Sequence, residues 1–268
     1  MSELQRRVLF ALVAAPLFVA LIYIGGVIFS AVIWIICMLI HRETIGLMKM
    51  QGFAPNAPMV YVFGTAILSA GVFPDYAGVV LLLVLVMLVS VETLSKYHRQ
   101  MFRLMSTLLS SVYPGVTLLT FIMIRGTAPD DLTGFIFILT LLFMIWGNDS
   151  LAYFGGRTFG RHLMAPHLSP KKTWEGFVFG FSGAALGLYL VTLIYPDSIV
   201  TMPKFWPLIF LISIFGPIGD LTASKLKRAA GAKDSSNLLP GHGGFLDRFD
   251  SILLASPVMY IYLRLFIL

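Results

Sequence analysis

Charge is scarce in this chain. Asp, Glu, Lys and Arg make up 12% of 268 residues, against roughly a quarter in soluble domains. There is one cysteine, Cys37, inside an apolar run, so no disulfide framework and no thiolate metal cluster can form. Histidine is also rare, and His162 and His167 lack the i, i+4 spacing of a helical zinc site. A catalytic Ser/His/Asp set is not apparent, and neither an internal repeat nor a low-complexity tract interrupts the chain. Apolar residues fill the remainder: 58% of the sequence is hydrophobic, 22 residues are Phe and 13 are Met, and the mean hydropathy is +0.88. A soluble domain cannot hide that much apolar surface in one core. The composition therefore calls for an all-α, polytopic integral membrane bundle.

Apolar runs lie near 8–24, 27–40, 59–73, 79–92, 107–124, 133–146, 177–195, 205–219 and 251–268, giving about nine transmembrane helices. Several are shorter than the roughly 20 residues needed to span a bilayer, so their ends must borrow polar residues. Arg6-Arg7 before the first run could open a signal peptide. Gly25-Gly26 leads straight into another apolar run, however, and an uncleaved span is the better reading. We treat 1–268 as one integral domain, with N-terminal helices over 1–146 and a catalytic part over 147–268. Alternating loops place Arg6, Arg7, Arg42, Lys49, Lys96, Arg99, Arg103 and every cation of 147–176 and 220–250 on one side. Of 19 Lys and Arg, only Arg125, Lys204 and Arg264 remain for the other. The heavy side is expected to be the cytoplasm, where the net charge of +6 suits anionic membrane lipids rather than nucleic acid.

Residues 41–58 read as a connector, and 93–106, basic and aromatic, as an interfacial helix. Asp149 follows the run 133–146 directly, so it is placed at a helix end near the membrane boundary, either capping the next helix or lining a polar cleft. Further on, Ser169-Pro170 looks like a helix start with Ser as N-cap. Its free amides, with Lys171 and Lys172 in the same turn, would suit a phosphate. The two lysines could instead snorkel, and Trp174 is most simply an interfacial anchor.

Polar chemistry is densest from Gly219 to Asp250. A helix continuing past Gly219 would put Asp220, Ser224, Lys227 and Arg228 at i, i+4, i+7 and i+8, on one face. Pro240-Gly241-His242-Gly243-Gly244 can be neither helix nor regular strand, and its missing side chains let backbone amides approach a ligand. Carboxylates without a cysteine cluster suit a hard cation such as Mg2+, with Asp220 and Asp247 the preferred ligands. The other reading pairs them with Arg228 and Arg248. His242 is either a satisfied loop histidine or a donor to phosphate.

The run Ser224-x-Leu-Lys-Arg, then Lys233-Asp234-Ser, then Leu239-Pro-Gly-His-Gly-Gly-Phe-Leu-Asp-Arg-Phe-Asp250 closely resembles the C-terminal signature of the CTP:phosphatidate cytidylyltransferase (CDP-diacylglycerol synthase) family. Asp149-Ser-x-Ala-Tyr and Ser169-Pro-Lys-Lys-Thr-Trp-Glu-Gly resemble its upstream motif. The likeness is strong over 147–257. It implies transfer of CMP from CTP to phosphatidate, giving CDP-diacylglycerol and pyrophosphate, by a homodimer in the bacterial inner membrane with its active site toward the cytoplasm. Asp220 and Asp247 would hold Mg2+, with a monovalent cation such as K+ beside it. Lys171, Lys172, Lys227, Arg228, Lys233 and Arg248 would meet phosphates, and Asp149 and Asp250 would organise the cleft. Ser169, Ser224, Asp234, His242, Gly243 and Gly244 would complete the substrate site. Three features depart from the family pattern: Ala223 stands where members have Glu, Phe179-Gly180 replaces Gly-Gly, and Ser236-Asn237 replaces a Gly-containing pair. They leave open a related CTP-dependent enzyme acting on another lipid phosphate or a polyprenol. A transporter would spread its charges through mid-span positions, whereas these gather at the ends of apolar runs.

Overall fold

Helices form wherever the apolar runs predict them, because a chain in hydrocarbon must satisfy its backbone polar groups within each segment. The computed structural model describes the backbone of residues 3–95, 100–239 and 241–268, and the side chains of 12–95, 101–239 and 241–268. Among these are α1 (Glu3–Ile24), α2 (Gly26–Met50), α3 (Ala57–Ser69), α4 (Pro74–Leu94) and α5 (Gln100–Gly126). They are followed by α6 (Asp131–Phe159), α7 (Trp174–Ile194), α8 (Pro207–Ala229) and α9 (Leu246–Tyr262). Seven are long and apolar enough to cross a membrane. The chain is thus an all-α, multi-pass membrane protein. α3 is short at 13 residues, and the apolar stretch described for α1 is Leu12–Ile24.

Helices overrun the apolar runs at several ends, which corrects four expectations. α2 continues to Met50, so 41–50 is helix rather than connector. α6 continues to Phe159 and places Asp149 more than two turns inside a helix, not at its end. Residues 100–106 belong to the long α5 and are no separate interfacial helix. Lys96 to Arg99, on which that expectation also rested, lie outside the described residues, as do the side chains of Arg6 and Arg7 and all of Pro240. Finally, Ser169-Pro170 does not start a helix. It opens β2 (Ser169–Thr173), antiparallel to β1 (Leu163–Ala165), and α7 begins at Trp174 with Thr173 as N-cap, its hydroxyl accepting from the Gly176 amide at 3.1 Å.

The chain divides into two compact units. One holds 1–122 and 226–248, the other 123–225 and 249–268. In the first, α3, α4 and α5 enclose a polar knot: Asn56 caps α3, its side chain donates to Glu92 Oε1 at 2.7 Å and its backbone amide donates to the Thr107 hydroxyl at 2.8 Å, while Glu92 pairs with Arg103 at 3.4 Å. The buried residues of α4 are Leu88 and Glu92, Leu81 and Val84 pack against the cluster of Phe63, Ile67 and Leu88, and the exposed apolar remainder is available to lipid.

In the second unit, α6 and α7 run backbone against backbone. Gly147 faces Gly183, Gly155 faces Phe179, Gly180 faces Asn148 and Gly187 faces the Phe143 carbonyl. A methyl group at Gly147 or Gly183 would overlap the opposite carbonyl oxygen. Small residues spaced three or four apart are what let membrane helices approach this closely, since van der Waals contact must replace the hydrophobic drive available in water.

Candidate active site

Each unit carries its own set of polar groups. In the second, Lys172 Nζ meets Asp220 Oδ2 at 2.6 Å, and Ser224 donates to Asp220 Oδ1 at 3.3 Å. Helix α8 does continue past Gly219, which explains the i, i+4 bond. Gly219 itself is needed because α9 passes so closely that a Cβ would strike the Asp250 carbonyl. Lys172 and Asp220 are partly exposed, at 25% and 32%. Asp149 on α6 is exposed, within electrostatic reach of both Lys172 and Asp220.

The hairpin decides which lysine joins this set. Successive residues of a strand point to opposite faces, so Lys171 and Lys172 cannot act in concert as they would in a helical turn. Lys172 turns to Asp220 while Lys171 is exposed; Ser169 pairs with Ala165 in the ladder. Glu175, in the first turn of α7, fastens the start of the hairpin by accepting from the Arg161 and His162 amides and from His162 Nδ1 at 2.6 Å.

In the first unit, Asp247 is the centre. Lys227 Nζ reaches Asp247 Oδ1 at 2.5 Å, with both side chains almost buried, at 10% and 7% exposure. The other oxygen, Oδ2, accepts from the Ser235 amide, the Ser235 hydroxyl and the Gly244 amide, at 2.9, 2.8 and 2.9 Å. A buried ion pair persists only when the remaining lone pairs are satisfied in this way. The glycines serve the geometry: Gly241 and Gly243 take φ of 76°, a region that favours glycine, and a Cβ on Gly243 would lie 2.7 Å from Asp247 Oδ2.

Other members of the predicted set have different duties. Arg248 Nε donates to the His242 carbonyl at 2.9 Å, and the His242 amide donates to Leu239 O, so this histidine helps close the turn through its backbone. Arg228 donates to the Ala232 carbonyl at 2.9 Å, past the end of α8. Lys233 and Asp234 are exposed on the loop that follows, and Asp250 accepts from the Ser251 amide. The ion-pair partners of Asp220 and Asp247 are thus Lys172 and Lys227, not Arg228 and Arg248.

Sequence reasoning missed Glu43. It lies on the part of α2 taken for a connector, is 3% exposed, and accepts from Ser235, Ser236, Phe245 and Leu246. An acidic residue at the edge of an apolar run was the one available signal, and positional context alone could not assign its partners.

The cytidylyltransferase family pattern matches residues 5–266. The chain belongs to the cytidylyltransferase family. Among curated relatives, the phosphatidate cytidylyltransferase of Bacillus subtilis (strain 168) is 31% identical over 99% of this chain and 100% of its own length. That of Staphylococcus saprophyticus is 31% identical over 96% and 98%. The Brucella abortus biovar 1 protein of the same name is 41% identical over 58% of this chain, and the match spans a little over half, 55%, of that relative. The family match takes in both polar sets and Glu43.

Proposed function

We propose that this protein transfers CMP from CTP to phosphatidate, releasing pyrophosphate and leaving CDP-diacylglycerol in the membrane, as a homodimer working at the cytoplasmic face. The observation that carries the reading is the pairing of each family-motif aspartate with a lysine, Asp220 with Lys172 and Asp247 with Lys227. These are carboxylates and cations placed for phosphate chemistry, within a chain that resembles phosphatidate cytidylyltransferases over nearly its whole length.

The chemistry asks little of acid–base groups. A phosphomonoester has its second pKa near about 6, so the phosphatidate oxygen is already an anionic nucleophile at neutral pH. It attacks the α-phosphorus of CTP, one P–O bond forms, and the bond to the β-phosphate breaks with pyrophosphate as leaving group. The obstacle is bringing two polyanions together, which calls for fixed positive charge. Lys172 and Lys227 supply it from defined positions. Lys171, Arg228, Lys233 and Arg248 add charge from more exposed ones.

The oxygen-only donor set suits Mg2+, although no group of three or more His, Cys, Asp or Glu gathers among the described residues. Asp220 fits well, its oxygens carrying one ammonium and one long hydroxyl bond. Asp247 fits where Lys227 yields Oδ1, since Oδ2 already has three donors. We assign Asp220 and Asp247, each within its own unit, as carboxylates that would hold Mg2+, with further oxygens coming from substrate phosphates. When bound, the ion would neutralise charge on those phosphates.

The test uses purified full-length protein in detergent with phosphatidate, Mg2+ and CTP labelled in the cytidine. Label appearing in lipid, with pyrophosphate released, supports the reading. Release of CDP without labelled lipid would point to a kinase, and an inactive wild type with phosphatidate but an active one with another lipid phosphate would reassign the acceptor.

A further inference from the structure

Glu43 gathers four donors from a segment at least 192 residues away in sequence. Its Oε1 accepts from the Ser236 hydroxyl at 2.6 Å and the Phe245 amide at 2.9 Å; its Oε2 accepts from the Leu246 amide at 2.7 Å and lies 2.9 Å from the Ser235 hydroxyl. Leu246 begins α9, whose first amides have no partner within the helix and favour negative charge. An adjacent side chain usually fills that role. Here another helix does. At Gly244, any Cβ would collide with both the Ser235 hydroxyl and the Glu43 carboxylate, so the loop is built around this contact.

The Ser235 hydroxyl is also 2.8 Å from Asp247 Oδ2. It has a single hydrogen to donate, hence it serves one carboxylate at a time. Glu43 and Asp247 compete for it.

We propose that Glu43 is a positioning residue for the reaction: it clamps the 235–246 loop and, through the Ser235 hydroxyl it shares with Asp247, fixes the orientation of that aspartate. With Ser235 turned to Asp247, three donors hold Oδ2 and aim Oδ1 at Lys227. With Ser235 turned to Glu43, one of those restraints is released, which gives Asp247 freedom to change partner without loss of the loop. The assignment of a reaction rests on the cytidylyl-transfer reading; the clamp itself does not.

Two measurements on full-length protein in detergent decide it. Hydrogen–deuterium exchange compares wild type with Glu43→Gln, which keeps the volume but turns donors toward donors. The amides of 235–246 are expected to exchange at least about tenfold faster, with those of α6 and α7 unchanged. Steady-state kinetics with CTP and Mg2+ should show kcat lowered at least about tenfold and KM for CTP within about threefold, with Glu43→Asp recovering part of the rate. Ser235→Ala combined with Glu43→Gln should cost less than the product of the single effects. Unchanged exchange in the loop, exchange raised equally throughout the protein, unaltered kcat in folded Glu43→Gln, or strictly multiplicative effects would each overturn the proposal. If wild type makes no CDP-lipid, the functional reading fails, while the exchange comparison still settles whether Glu43 holds the loop.

Discussion

Asp220 and Asp247 each have a lysine partner, yet their surroundings differ. Asp220 and Lys172 are about a quarter to a third exposed, and one weak hydroxyl bond completes the aspartate's contacts. Asp247 and Lys227 are nearly buried, and four donors saturate the carboxylate. Exposed ion pairs contribute little to stability, whereas breaking a buried one strands a charge. The same residue type is therefore expected to be a site group in one unit and both a site group and a structural keystone in the other.

Substitutions can break or sharpen that contrast. Asp247→Ala has the largest expected effect. It leaves Lys227 and the Ser235 and Gly244 amides without their acceptor, so it should lower activity by about 100-fold or more and stability by about 3–5 kcal/mol, read by CDP-lipid formation and by thermal unfolding in detergent. Asp220→Ala should lower activity to a similar degree but shift stability by less than about 1 kcal/mol. Equal destabilisation by the two variants would erase the distinction. Next comes Gly183→Ala, which forces α6 and α7 apart and should cost about 1–3 kcal/mol by overpacking; an unchanged melting temperature would mean the helices yield easily. On the hairpin, Lys172→Ala should reduce the rate about tenfold or more and Lys171→Ala by no more than about threefold. Reversed effects would show that the strand presents its other face to substrate. The smallest effect is expected from Thr173→Ala, where loss of the N-cap bond should cost about 1 kcal/mol and leave kcat nearly intact.

The helices were legible because a membrane imposes one strong rule: an apolar run must satisfy its backbone internally, and few structures do so. The chain does break at Gly25, and α8 does continue past Gly219 to Ala229, the condition under which Asp220, Ser224, Lys227 and Arg228 share a face. Helix ends were less legible. Polar residues such as His41 to Glu43 and Asn148-Asp149 look like boundaries by hydropathy, but packing against neighbouring helices carries α2 and α6 beyond them. At Ser169-Pro170 the N-cap pattern was present without a helix to cap. Pairing with Leu163–Ala165 outweighed that local preference, so the two lysines diverged.

The amino-acid sequence alone determined that this chain lies in a membrane, roughly where its helices run, and in which segments its charged residues gather. Burial of charge in hydrocarbon is costly enough that its exceptions stand out in composition. Tertiary structure decided which cation each aspartate meets, and it recruited Glu43 to a loop some two hundred residues distant. Hydrogen-bond partners are selected by ångström-scale proximity, and spacing along a chain carries no such information once helices intervene.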